Sequence, residues 1–239
     1  MRRFISNLVL GTAISLLPVV NTSAGESAVT WQSTIIGQDR GIIFLTFVDD
    51  LTLTGYGISL NFLGPFTTSG TWGEGAKESV LGGFTSFSDR GNQAGLLEGS
   101  VRGNGGFFAK VTTSGGPQKF KAPAPAAIAD LSGSWTGSSQ LQGKKSLLSF
   151  VLTPSTNNLP GWFDLTGTGI GETGSFTLTG AVLMTSDRNA AAYTVSNFGT
   201  STTQAAFIGK VGPKANKWTF KGKDEDNKNI LFKAERPKP

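Results

Sequence analysis

The sequence predicts an all-β protein made of two repeated antiparallel up-and-down β-barrels, with a β-sandwich as the alternative packing. Three observations predict it. Short β-prone runs recur along the chain, glycine-rich turns separate them, and the same phrases return in the same order in the second half. Gly, Thr and Ser dominate the chain, and none of the three is a strong helix former.

The strand signals come in order as Ile42 to Val48 (IIFLTFV), Phe107 to Thr112 (FFAKVT), Leu147 to Thr153 (LLSFVLT) and Trp218 to Lys221 (WTFK). Gly-Gly, Asn-Gly and Ser-Gly clusters between them are turn chemistry. The runs lie too close together for crossover helices, so the sheets are expected to be antiparallel.

At the N-terminus, Arg2 and Arg3 precede an apolar stretch from Leu8 to Val20, and Thr22-Ser23-Ala24 follows as a small-x-small cleavage site. This is the pattern of a secretory signal peptide, residues 1–24. The protein is expected to be secreted or periplasmic, and the absence of Cys fits a bacterial envelope or extracellular setting.

The mature chain then divides in two. Trp31 and Trp135 are 104 positions apart, as are Ser69-Gly70-Thr71-Trp72 and Thr173-Gly174-Ser175-Phe176. Gly99-Ser100-Val101 matches Gly209-Lys210-Val211, and Phe120-Lys121-Ala122 matches Phe232-Lys233-Ala234. These anchors define β-units over residues 27–121 and 130–236, joined by the Ala/Pro-rich segment 122–129, a composition that favours an extended spacer. In the second unit, strands are expected near 132–137, 146–153, 162–166, 174–179, 181–185, 191–196, 205–211 and 218–222. A last piece at 230–233 would pair with the first strand and close the barrel. A third arrangement, one outer-membrane barrel of about 12 to 16 strands, draws on alternation such as Leu51-Thr52-Leu53-Thr54. The linker and the lysine-rich C-terminus argue against it.

Asp130-Leu131-Ser132-Gly133-Ser134-Trp135-Thr136-Gly137 resembles the opening strand of small up-and-down barrels such as lipocalins and avidins, where a Gly-x-Trp begins the barrel. The resemblance covers eight residues. It implies a Trp that helps close one end, and a small, largely apolar ligand held inside. The first unit departs from it, with Ala28-Val29-Thr30-Trp31 in that place.

The chain has 239 residues, no His and no Cys. That removes Ser-His-Asp and Cys-His catalysis and His- or Cys-ligated zinc. Catalysis would fall to carboxylates, of which Asp49, Asp50, Glu74 and Glu78 flank loops; the second unit carries no acid where Asp49 and Asp50 stand in the first. The Gly-rich segments 103–106 and 114–116 lack the Lys-Ser/Thr ending of a phosphate loop. No cofactor and no metal site is expected. Ser88-Asp89-Arg90 recurs as Ser186-Asp187-Arg188, either a polar turn or a ligand-binding pair.

The candidate ligand-binding residues are the aromatics Tyr56, Trp72 and Trp162, set in strands where few other large side chains compete for space. The same rings would otherwise serve as core. Nine of the chain's Lys and Arg fall between Lys210 and Pro239 against four acids, a basic segment suited either to an anionic surface or to guarding a sheet edge. Nucleic acid is not expected as a partner. The sequence thus points to an exported, non-catalytic protein that binds a small molecule or glycan through its barrels. The alternative is a structural or surface-interaction protein of the envelope or matrix. Expression in an exporting host is expected to yield a chain beginning at Gly25, checked by intact mass; a retained N-terminus would refute the signal-peptide reading.

Overall fold

The computed structural model describes residues 28–236 apart from 50, 77 and 78. The predicted signal segment, Asp50 and Glu78 therefore lie outside the described residues. The first barrel consists of β1 (Ala28–Gly37), β2 (Gly41–Val48), β3 (Thr52–Ser59), β4 (Gly64–Glu74), β5 (Ser79–Ser88), β6 (Gly91–Val101), β7 (Phe107–Thr113) and β8 (Gly116–Ala122). The second consists of β9 (Gly133–Leu141), β10 (Lys144–Pro154), β11 (Trp162–Gly171), β12 (Gly174–Met184), β13 (Asn189–Phe198), β14 (Ser201–Val211), β15 (Lys217–Asp224) and β16 (Asn229–Glu235).

Each strand pairs antiparallel with the next, and each barrel is closed by its own first and last strands. Residues 34–37 pair with 118–121 in the first, and 136–141 with 230–235 in the second. Closure of two separate sheets excludes both the sandwich and the single large barrel.

The period-two pattern follows from closure, since alternate side chains must enter the interior. β15 reads KWTFKGKD, with Trp218, Phe220, Gly222 and Asp224 buried and every lysine exposed. Inside barrel 2, Trp135 stacks on Trp218 at 4.7 Å and Trp218 on Phe150 at 5.6 Å. Trp135 is fully buried, and its indole N–H donates to the Leu131 carbonyl at 2.9 Å. The Arg236 guanidinium covers the same ring 5.0 Å from its centroid, so this end of barrel 2 is shut. Barrel 1 repeats the plan with Trp31 stacked on Phe107 at 5.5 Å. The turn from β9 to β10 is Gln142-Gly143, both at positive φ (49° and 83°), the two-residue hairpin geometry that matches strand twist.

Two sequence expectations change. Segments 174–179 and 181–185 are not separate strands: β12 runs unbroken through Gly180, where a Cβ would overlap the Tyr193 carbonyl oxygen of β13. The repeat register also shifts. β4 and β12 have equal length and lie 110 positions apart, because the β10–β11 loop is long. Trp72 therefore sits near the end of its strand and Phe176 near the start of its own, so the phrases at 69–72 and 173–176 are not equivalent. Nor are the two Ser-Asp-Arg phrases, one in the β5–β6 turn and the other in the β12–β13 loop. The matches at 99–101 with 209–211 and 120–122 with 232–234 occupy equivalent strands.

The barrels share a third apolar cluster. β2 is buried on both faces: Ile43, Leu45 and Phe47 fill barrel 1, while Ile42 and Phe44 point out. They meet Ile58 of β3 and Trp162, Ala181, Leu183 and Ala191 of barrel 2. The Ala/Pro segment is docked on this seam, with Ile128 packed into it and the Ala126 carbonyl accepting from Gln32 Nε2 at 3.3 Å. Polar contacts rim the seam. Ser186 N–H donates to Gln32 Oε1 at 2.7 Å, and Arg90 donates to Gln204 Oε1 at 3.0 Å. Phe44 has no exposed surface. Phe44→Ala is expected to cost about 3–5 kcal/mol and to split one thermal unfolding transition into two, as calorimetry would detect.

Candidate functional site

The open end of barrel 2 holds a concave site. It lies among the β9–β10, β11–β12 and β13–β14 turns, opposite the Trp135 end. A cavity of about 220 Å³ opens here. Its floor is Leu148, Phe176, Leu178, Phe207 and Phe232, with Phe176 packed on Phe198 at 4.4 Å. Above the floor, Ser139, Ser146, Thr194, Ser196 and Thr203 face the cavity from four different strands. Lys144 and Lys145 stand at the rim, where Lys144 pairs with Glu172 at 2.9 Å; both partners are largely exposed, so the pair adds little stability.

The room comes from glycine. Gly167, Gly169 and Gly171 occupy the inward phase of β11. A Cβ on Gly169 would overlap the Phe176 ring, and one on Gly167 would meet Phe150 at 2.5 Å. The Phe176 ring thus packs against the bare backbone of β11 at Gly169. In barrel 1 the corresponding end is filled by Phe62 against Phe66 at 5.2 Å and by Phe84 near Phe120 at 6.2 Å.

The three aromatics singled out in the sequence are not brought to this cavity. Tyr56 and Trp162 meet each other at the seam, ring centroids 6.2 Å apart. The Tyr56 hydroxyl donates to the Pro160 carbonyl at 2.9 Å, and burial pushes its pKa well above the usual tyrosine value. Tyr56 also borders a cleft of about 540 Å³, lined in part by Thr54, Thr67, Phe87, Asn157 and Leu159. Trp162 donates from its indole nitrogen to Asp164 at 3.0 Å. Trp72 lies apart, at the far end of barrel 1, where it donates to the Val48 carbonyl at 2.8 Å and stands edge-on to Phe47. Asp49 and Glu74 are exposed. Among the described residues, no three His, Cys, Asp or Glu side chains gather as a metal site.

The cavity residues that sequence reasoning missed are small hydroxyls. Counting in twos from Trp135 reaches Ser139, and counting back from Phe207 reaches Ala205 and Thr203. The inward phase was readable; what marked these positions as a mouth was the glycine alternation in Thr166-Gly167-Thr168-Gly169-Ile170-Gly171.

No protein-family model matches the chain, and no curated protein matches it. Among solved structures, two redesigned β-barrels bound to DFHBI, mFAP1 and mFAP0, each cover 44% of this chain. They align over 94% and 98% of their own lengths, at 18% and 17% identity and a TM-score of 0.39. The isotype 1 transferrin binding protein B from serogroup B Neisseria meningitidis aligns over 83% of this chain and 66% of its own. Its identity is 8% and its TM-score 0.28. None of these superpositions is close enough to bear on function.

At the filled mouth of barrel 1, buried Asp39 accepts from the backbone N–H groups of Arg40 (2.7 Å) and Asn61 (3.1 Å), both through Oδ1. Desolvation outweighs these bonds and those from Ser59, so its pKa is raised. Folding thus disfavours the charged form, and the cost is present above the folded pKa and relieved as pH falls through it. Asp39→Asn can keep both bonds through its carbonyl oxygen. It is expected to be as stable as the parent or more so at neutral pH, with the advantage shrinking in acid, by urea unfolding at both pH values.

Proposed function

We propose that the protein is an exported, non-catalytic binding protein that takes a small amphipathic ligand into the open end of barrel 2. The observation that carries the reading is the cavity itself: a phenylalanine floor beneath inward hydroxyls from four strands. Ligand sites are commonly apolar concavities with a few placed polar groups, and barrel mouths are among their usual positions. At about 220 Å³ the space is small. It suits one ring or a short chain, with a polar or anionic end reaching Lys144 and Lys145. Export rests on the N-terminal segment alone.

A second reading, a surface-interaction protein, is favoured by the outer wall of barrel 2. Leu147 and Ile170 face each other across β10 and β11 and are 60% and 65% exposed, with Val151 nearby at 41%. An apolar group of this kind on an exposed wall is a usual mark of a protein contact.

Ala205 lines the cavity with 4% of its surface exposed. Ala205→Phe would fill the space above the floor. With 8-anilinonaphthalene-1-sulfonate as an anionic aromatic probe, the parent is expected to show a saturable one-to-one fluorescence rise. The variant should bind at least about tenfold more weakly at an unchanged melting temperature. Equal binding by the two proteins would refute the cavity as the site. Self-association of both in sedimentation, without saturable probe binding, would favour the second reading.

A further inference from the structure

The two barrels build a second concave site together, on the seam. A groove of about 360 Å³ is lined by Arg40 from the β1–β2 loop and by Lys210 and Lys221 from β14 and β15. Thr34, Asn189 and Thr219 add polar groups between these cations, and the rest of the wall is aliphatic or glycine. No carboxylate lines it. Asp39, beside Arg40 in sequence, is buried and holds backbone N–H groups. Asp187, close behind Asn189, is engaged by Thr185 and by the Asn189 amide at 2.8 Å.

The strand registers extend the positive charge away from the groove on both sides. Thr34 pairs with Lys121 of β8, and Lys119 follows two residues before it on the same outward face. On the other barrel, Lys210 pairs with Thr219, and Thr219 with Lys233 of β16. Among the described residues none of these six cations is in an ion pair; Lys217, next to Thr219 on the same face of β15, is paired with Glu235 at the belt's border, and Lys144 and Lys228 are paired elsewhere. The result is a belt of one sign crossing the seam, with its concavity at the middle. Like charges held this close repel one another, and an anion relieves that repulsion.

We propose that this belt binds a linear anionic polysaccharide, with a carboxylate, sulfate or phosphate group of the chain seated between Arg40, Lys210 and Lys221. The form of the site selects among polyanions. No aromatic side chain lines the groove, so it offers no platform for nucleic-acid bases. Its concavity suits a narrow chain, whereas a flat bilayer would reach only the flanking lysines. The guanidinium of Arg40 offers a two-pronged contact to an oxyanion, and the lysines act as point charges beside it. The proposal is independent of the cavity in barrel 2.

The test compares three proteins on immobilised heparin and in solution with polygalacturonate, single-stranded DNA and vesicles containing phosphatidylglycerol. The first is the parent. The second carries Arg40→Gln, Lys210→Gln and Lys221→Gln. The third carries Arg102→Gln, Lys214→Gln and Lys228→Gln, an equal loss of charge away from the groove. The parent is expected to bind at least one of the two polysaccharides, with affinity falling as salt rises. The groove variant should bind about tenfold more weakly or worse and elute at lower salt, while the control stays within about twofold of the parent. Matching melting temperatures by calorimetry exclude misfolding as the cause, and if the triple variant is unstable, Lys210→Gln with Lys221→Gln serves in its place. Equal loss in groove and control variants would overturn the proposal in favour of non-specific charge attraction. So would groove-dependent binding to DNA or vesicles alone, or no binding to either polysaccharide at low salt.

Discussion

Everything in this molecule depends on the hydrogen bonds that join the first strand of each barrel to its last. β1 against β8 and β9 against β16 remove the free edges that an eight-stranded sheet would otherwise expose. Closure also fixes an inside and an outside, so each residue's face follows from its parity along the strand. The floor of Phe207 and Phe232, the hydroxyls above it and the outward lysines are all consequences of that parity. What differs between the barrels is how the interior is filled. Phenylalanines close the mouth of barrel 1, and the glycines of β11 leave the mouth of barrel 2 open.

Closure solves the edge problem for each unit alone, and the seam then joins the two units. A barrel with one solvated face reads as strict alternation, but Gly41–Val48 is apolar almost without a break. Its second face is covered by the neighbouring barrel through Trp162, Leu183 and Ala191. The two Ser-Asp-Arg phrases both serve this junction from non-equivalent loops, Arg90 through its guanidinium and Ser186 through its backbone N–H. Polar residues at the rim fix the angle of a contact whose area is apolar.

Much of the fold was legible in the sequence, because alternation and turn chemistry act locally. The segment at 230–233 closes its barrel as its spacing implied. The fusion of 174–179 with 181–185 was hidden because Gly180 resembles a turn residue, and only the closeness of the Tyr193 backbone explains its presence in a strand. The candidate site was less legible. Trp162 and Tyr56 stand out for size in glycine- and threonine-rich strands, yet that conspicuousness reflects the seam, a contact between residues far apart in sequence. The cavity of barrel 2 is made by what is small, and small residues carry little signal until the strand phase is known. Arg40 and Lys221 reach one groove only because the barrels pack side by side.

The pairing of first strand with last also governs how the chain must be made. β1 waits for residue 118 before its partner edge exists, and β9 waits for residue 230. Contacts so distant in sequence form slowly, because a long loop must be closed before any bond rewards it. On the ribosome, the Ile42–Val48 run would spend that interval uncovered on either face. Even a completed first barrel leaves Phe44 bare until the second has formed. The duplicated architecture therefore carries a prolonged aggregation-prone stage in synthesis, and a chain of this design has reason to rely on a holding chaperone until its final strand arrives.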